Sequence, residues 1–244
     1  MIAALLALTL AQNAYYTPQE AQALFAKAND DFYRADYAKA NEGYQKLIEH
    51  GFGGPDVLFN LGTSYLQAGQ LGEAVLYLER ARRLSRNDDI EANLSYARTL
   101  MVDKVIGAGG DEPFLERVAH ATPGDGAAIA FLACWWLLFA AWIAFRFATR
   151  RALLGVAIGM FFLGSMIFGA LTGVHAWVAH NVIEAVVMPQ TAKVFEFPGE
   201  GAKVAFEIHS GLKIRLMEES GKFVRIRLPN GLEGWTDKTG VVGL

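Results

Sequence analysis

Gly126–Phe145 (GAAIAFLACWWLLFAAWIAF) and Ala152–Val174 (ALLGVAIGMFFLGSMIFGALTGV) are uncharged runs separated only by Arg146-Phe147-Ala148-Thr149-Arg150-Arg151. Twenty helical residues rise about 30 Å, the thickness of a bilayer's hydrocarbon core. A soluble core of this size has no use for two such runs back to back. The pair therefore predicts a transmembrane hairpin, with spans at 126–145 and 152–178 joined by a turn at 146–151. Arg146, Arg150 and Arg151 stand in that turn with no acid beside them. Short basic loops stay in the cytoplasm, so the turn is expected there and both flanking regions outside.

The flanks fit this orientation. Ile2–Leu10 is apolar and too short to span, and Thr9-Leu10-Ala11 ends it in a small-x-small pattern, so residues 1–11 are expected to be a signal peptide. Thr17-Pro18-Gln19-Glu20 then starts a helix afresh. Residues 12–125 hold 11 Lys/Arg against 17 Asp/Glu, the turn contributes +3, and residues 184–244 balance at eight of each, consistent with the overall −3. Neither flank has the basic footprint that nucleic acid requires. Cys134 is the sole cysteine and lies within the first apolar run, so no intramolecular disulfide forms.

Between residues 22 and 100 the sequence repeats with an offset of 33 to 34. Ala28-Asn29-x-x-Phe32 aligns with Leu61-Gly62-x-x-Tyr65, and Ala40-x-x-x-Tyr44-x-x-Leu47 aligns with Ala74-x-x-x-Leu78-x-x-Ala81. Small residues recur where paired helices touch and larger ones where they must be filled, the spacing of tetratricopeptide repeats. Residues 17–104 are read as two repeats, and Asn93–Ala97 opens a third helix that caps them. The first helix of each pair lines a groove, and by register Lys27, Asp30, Tyr33, Phe59, Thr63 and Tyr96 point into it as candidate contacts for a protein partner. Arg80, Arg82, Arg83 and Arg86 form a basic run on a second helix, read as a solvated face or, less favoured, a lipid or partner patch.

Residues 105–125 are rich in Gly and Pro and read as a linker. Within it Phe114-Leu115-x-x-Val118-Ala119 forms a short amphipathic turn, lying on the membrane or packing on the repeats. In the hairpin, Gly155-x-x-x-Gly159 and Gly169-x-x-x-Gly173 are expected to pack against the first span, which offers Ala140-x-x-x-Ala144 in return.

After His180 the pattern alternates. Ala185–Met188, Ala192–Phe195, Leu212–Leu216 and Phe223–Leu228 read as strands, and Asn230-Gly231 as a hairpin turn leading to Gly234-Trp235. With His209-Ser210-Gly211 before a strand and Gly234-Trp235 at the close, residues 183–244 resemble the bacterial SH3-like barrel. Phe195 and Trp235 are candidate lining of a ligand groove there, with burial in the core as the competing assignment for the aromatics. The fold class expected is multidomain: an all-α tetratricopeptide pair, a two-helix transmembrane hairpin and a small all-β SH3-like barrel.

This order of modules is similar to the BatE-type proteins of the aerotolerance operon, a likeness carried by Leu58–Tyr65, Gly69–Leu84, Asn93–Ala97 and Gly231–Trp235. The resemblance implies a non-enzymatic scaffold of the inner membrane, both soluble domains extracytoplasmic. Its partners would be a MoxR-type AAA+ ATPase and proteins with von Willebrand A domains. A peptidoglycan-binding anchor acting through the SH3-like domain is the alternative. No cofactor or metal is expected and no catalytic residue is assigned. The chain contains no HExxH, CxxC, Gly-x-Ser-x-Gly or Gly-rich phosphate loop, and His50, His120, His175, His180 and His209 are scattered.

Overall fold

The structure is a computed structural model that describes residues 16–85, 87–103, 114–149, 151–199 and 201–244. The expected signal segment, Arg86, Arg150 and linker residues 104–113 lie outside these. The chain divides into two compact units. One comprises the polypeptide up to residue 106 together with residues 184–244, and the other comprises 107–183.

The repeat region is five helices: α1 (Pro18–Tyr33), α2 (Tyr37–Glu49), α3 (Pro55–Gln67), α4 (Leu71–Leu84) and α5 (Asp88–Leu100). Their starts are written locally. Thr17 caps α1, its hydroxyl accepting from the Glu20 N–H while the Glu20 carboxylate accepts from the Thr17 N–H, and Pro18 takes the first helical position. Asp36 caps α2, Pro55 opens α3 and Asn87 caps α5. Ala28, Ala40, Ala74, Ala81 and Ala97 are buried where helices cross, with Tyr44, Leu47, Leu61, Leu78 and Leu94 fully buried between them. At about 2–5 kcal/mol for each Leu→Ala truncation, these leucines dominate the stability of the stack.

The second unit contains α6 (Phe114–Ala121), α7 (Gly124–Phe147) and α8 (Ala152–Asn181). Both long helices have the length and composition to cross a membrane, and few of their residues are fully buried. A soluble core helix would be covered; these leave Trp135, Trp136, Trp142, Phe162 and Met166 more than half exposed. They pack antiparallel: Cys134 lies against Gly164, Phe131 against Gly169 and His175 against Gly124. On α7 the covered stripe is Ala127, Phe131, Cys134, Leu138, Ala141 and Phe145, the alternating three-and-four spacing of a two-helix seam.

Of the small-residue motifs, only Gly169 packs against the first span as expected. Gly164 and Gly169 are the glycines that admit α7, whereas nothing lies near Gly155, Gly159 or Gly173, and Ala140 and Ala144 are exposed. The covered stripe needs room opposite Cys134 and Phe131, and only Gly164 and Gly169 fall there. The stretch expected as linker is helical at Phe114–Ala121 and packs on α8. Thr122, which follows it, has its hydroxyl 3.0 Å from His175 Nε2.

The C-terminal segment forms seven strands: β1 (Ile183–Val187), β2 (Thr191–Phe195), β3 (Val204–His209), β4 (Lys213–Ser220), β5 (Phe223–Arg227), β6 (Glu233–Asp237) and β7 (Val241–Gly243). The order β3-β2-β6-β5-β4-β1-β7 leaves β3 and β7 as the two ends, so the sheet is open. The expected barrel closure is therefore corrected to an open antiparallel sheet. Its core is Ala185, Val187, Ala192, Val194, Ile208, Leu212, Ile214, Val224, Ile226 and Leu228, the alternate residues of each strand. Gly231, at φ +87°, makes the expected hairpin turn, and the Leu228 N–H donates to the Leu232 carbonyl across it.

Candidate functional site

The first helices α1, α3 and α5 lie side by side, joined by side-chain amides. Asn60 Nδ2 donates to Asn29 Oδ1 at 3.0 Å, linking α3 to α1, and Asn93 Nδ2 donates to Thr63 Oγ1 at 2.8 Å, linking α5 to α3. The Tyr44 hydroxyl donates to the same Asn29 oxygen at 2.6 Å, and burial pushes its pKa up to about 12. Of the six residues assigned to this face by register, Lys27, Asp30, Tyr33 and Tyr96 are exposed, Tyr33 by 83% and Tyr96 by 53%. Phe59 is half-buried against the repeat core, and Thr63 is half-buried and engaged with Asn93. The amides of Asn29, Asn60 and Asn93 belong to the same helices and escaped the sequence reading. Their signal was present, since Asn60 and Asn93 stand 33 residues apart, one repeat length.

The other side of the repeats is occupied. Arg80 Nη2 donates to the Gly243 carbonyl at 2.9 Å, its guanidinium 5.6 Å above the Tyr77 ring, and Arg83 pairs with Glu184 at 2.9 Å. Arg82 pairs with Glu79 at 2.5 Å. Glu79 is only 3% exposed, with Lys213 of β4 3.9 Å away. Lys213 also pairs with Glu184 at 2.9 Å. Burial raises the Glu184 carboxyl, but Lys213 and Arg83 outweigh it and hold the group below its ordinary range. Arg80, Arg82 and Arg83 are thus not a free patch: Arg80 and Arg83 grip the C-terminal sheet, and Arg82 pairs with buried Glu79. Sequence spacing along one helix carries no trace of a strand about a hundred residues away.

On the sheet, Phe195 and Trp235 are cross-strand neighbours on β2 and β6, and Phe223 meets Phe195 edge-on at 6.0 Å. A Cβ on Gly234 would run into Val194 and the Phe195 carbonyl, so glycine there lets β6 press against β2 and brings Trp235 beside Phe195. All three aromatics are half-buried on the face opposite Val194, Val224, Gly234 and Thr236. One register row crosses five strands: Val204, Phe195, Trp235, Arg225 and Glu218. Glu233 pairs with Arg225 at 2.5 Å and with Arg227, and these cations, against an opposing burial effect, hold its carboxyl low.

In the link between the apolar helices Arg146 and Arg151 are exposed, with the Arg151 guanidinium 5.6 Å from the Phe145 ring. Among the described residues no group of three or more His, Cys, Asp or Glu side chains is placed to hold a metal ion.

A tetratricopeptide-repeat family model matches residues 55–88, which are α3, α4 and the entry to α5. No curated protein matches the sequence. The chain thus carries a tetratricopeptide repeat, a module that supports protein–protein interaction, alongside two helices able to cross a membrane.

Proposed function

We propose that this chain is a non-enzymatic, membrane-anchored adaptor that recruits protein partners on the face built by α1, α3 and α5. The observation that carries this reading is the division of the repeat's surface. The outer side of α4 is filled by the chain's own sheet, while the first helices present exposed Tyr33, Tyr96, Lys27 and Asp30 around half-buried Phe59. Aromatics at the centre of a recognition face supply most of its binding energy.

The two apolar helices form the anchor as a transmembrane hairpin. Support comes from connectivity: polypeptide before and after the hairpin builds one compact unit, which requires an even number of crossings. Arg146, Arg150 and Arg151 put the turn in the cytoplasm and both soluble segments outside. The resemblance to BatE-type proteins extends this to an inner-membrane complex with a MoxR-type ATPase and proteins with von Willebrand A domains. That extension rests on the order of modules alone.

The test is the Phe59→Ala, Tyr96→Ala double variant of the full chain, probed by co-purification with those two classes of protein. Loss of both partners with unchanged circular dichroism supports the adaptor. Retention with the fold intact removes the face as the binding site. A second reading is favoured by the aromatic row on the sheet: Phe195, Phe223 and Trp235 offer flat apolar surface to sugar or peptide, as in a cell-wall anchor resembling SH3-like domains. Peptidoglycan pull-down by the full chain, lost in Trp235→Ala without a change in Tm, would select it.

A further inference from the structure

The face of α4 turned to the sheet is a docking site already filled. Val186, fully buried, belongs to the core of the repeats, and Met188, Val242 and Leu244 pack on it as well. The turn after β3 supplies a second contact. Gly211, at φ +86°, brings its α-carbon against Leu71 and Met101, a conformation and an approach that a side chain would oppose. Beside it the His209 backbone N–H donates to Asp103 Oδ2 at 2.6 Å, and His209 Nδ1 lies 2.8 Å from Asp103 Oδ1. Gly72, in the first turn of α4, faces the carbonyls of Val187 and Met188. Glu79 is buried beneath these contacts, and Arg82 and Lys213 are its cations.

We infer that residues 184–244 are an intramolecular clasp whose ligand is the second repeat, and that this repeat is completed only by polypeptide from beyond the hairpin. Two helix pairs and a single helix leave an uncovered flank, and a short repeat stack is stable only when its end faces are covered. Here the sheet covers it with apolar residues at the centre, ion pairs at the edge and a histidine–aspartate bracket at the α5 end. The clasp concerns the sheet and α4, so it stands or falls separately from what binds on α1, α3 and α5.

Gly72→Ala in the full chain, purified in detergent, gives a test by sign. In a helix alanine is favoured over glycine, so with no sheet on Gly72 the substitution leaves Tm unchanged or raises it. With the clasp, the new Cβ stands 2.9 Å from the Met188 oxygen and 3.0 Å from that of Val187, backbone atoms that cannot swing aside. The expected result is a lower Tm with faster amide exchange in α4, β1 and residues 209–213 together. A companion set uses charge: Glu184→Arg should raise exchange in the same segments, and adding Arg83→Glu, which leaves Lys213 beside Glu79, should restore protection. An unchanged or raised Tm for Gly72→Ala overturns the clasp. So does a charge exchange that leaves α4 untouched or fails to recover its protection.

Discussion

Two arginine clusters punctuate this chain, Arg80–Arg83 on α4 and Arg146–Arg151 from the last turn of α7 to the start of α8, and they have opposite fates. The first is consumed inside the protein: Arg80 holds a β7 carbonyl, Arg82 a buried glutamate and Arg83 a β1 glutamate. Of the second, Arg146 and Arg151 are exposed and find no acid among the described residues. Acids placed by the fold decide which cations stabilise it. The unpaired ones remain available to act on something outside the fold, in the proposed topology on the orientation of the hairpin.

The contrast is sharpest where charge is reversed at its centre. Lys213→Glu sets a third carboxylate beside Glu79 and Glu184, and about 2–3 kcal/mol of stability should go, after allowance for the partial exposure of Lys213. Thermal melting of the full chain in detergent reads this, and a loss below 0.5 kcal/mol would remove the charged seam from the account. Arg83→Gln deletes one partner of Glu184 and should cost about 1 kcal/mol, less at high salt; a salt-independent loss would argue for packing instead.

Acid probes the same seam from the other partner. The Glu184 carboxyl is held below its ordinary value of 4.5, so its stabilisation is complete above that pH and is lost as pH falls through the lowered folded value. Melting curves between pH 6 and 3 should therefore steepen in the wild type relative to Glu184→Gln. Identical acid limbs would show that the carboxylate contributes nothing. At the small end, neutralising Arg146, Arg150 and Arg151 together should leave the unfolding free energy within about 0.5 kcal/mol of the wild type. The same triple change should scramble alkaline-phosphatase fusions placed after residue 148 and at the C-terminus. A cytoplasmic-negative result, with the fusion at 148 active and the C-terminal one inactive in the unsubstituted chain, reverses the proposed topology.

What sequence periodicity could reach was local. Thr17-Pro18 and Asn230-Gly231 announce a helix start and a turn by their own chemistry, and the 33-residue offset announces the repeat. The two uncharged runs announce themselves by length. β3 was passed over although Val204, Phe206 and Ile208 alternate with Ala205, Glu207 and His209 as a strand should. Of the hairpin glycines Gly169 was placed rightly, but Gly155, Gly159 and Gly173 were misassigned and Gly164 missed, because spacing shows which residues are small and not which of them face Cys134 and Phe131. The largest omission was the seam, where Gly72, Glu79 and Arg83 look like ordinary surface positions of α4. Only the tertiary fold brings Val187, Lys213 and Glu184 to them. On the face of α1, α3 and α5 the six assigned residues lie on the expected helices, but Thr63 is tied to Asn93, a bond between neighbouring repeats that one-repeat register does not reveal.

The discontinuity of the first unit sets an order of events during synthesis. Helices α1 to α5 leave the ribosome early, yet Val186, Val242 and Leu244 of their shared core arrive only after both apolar helices. Until then α4 shows Leu71 and a buried-type glutamate to any protease or chaperone nearby. A message truncated before residue 184, or a hairpin that fails to return its far end to the near side, yields a repeat that is never finished. Residues 184–244 thus act as a check on what precedes them: the repeat core is completed only in molecules whose polypeptide has been made beyond both apolar helices.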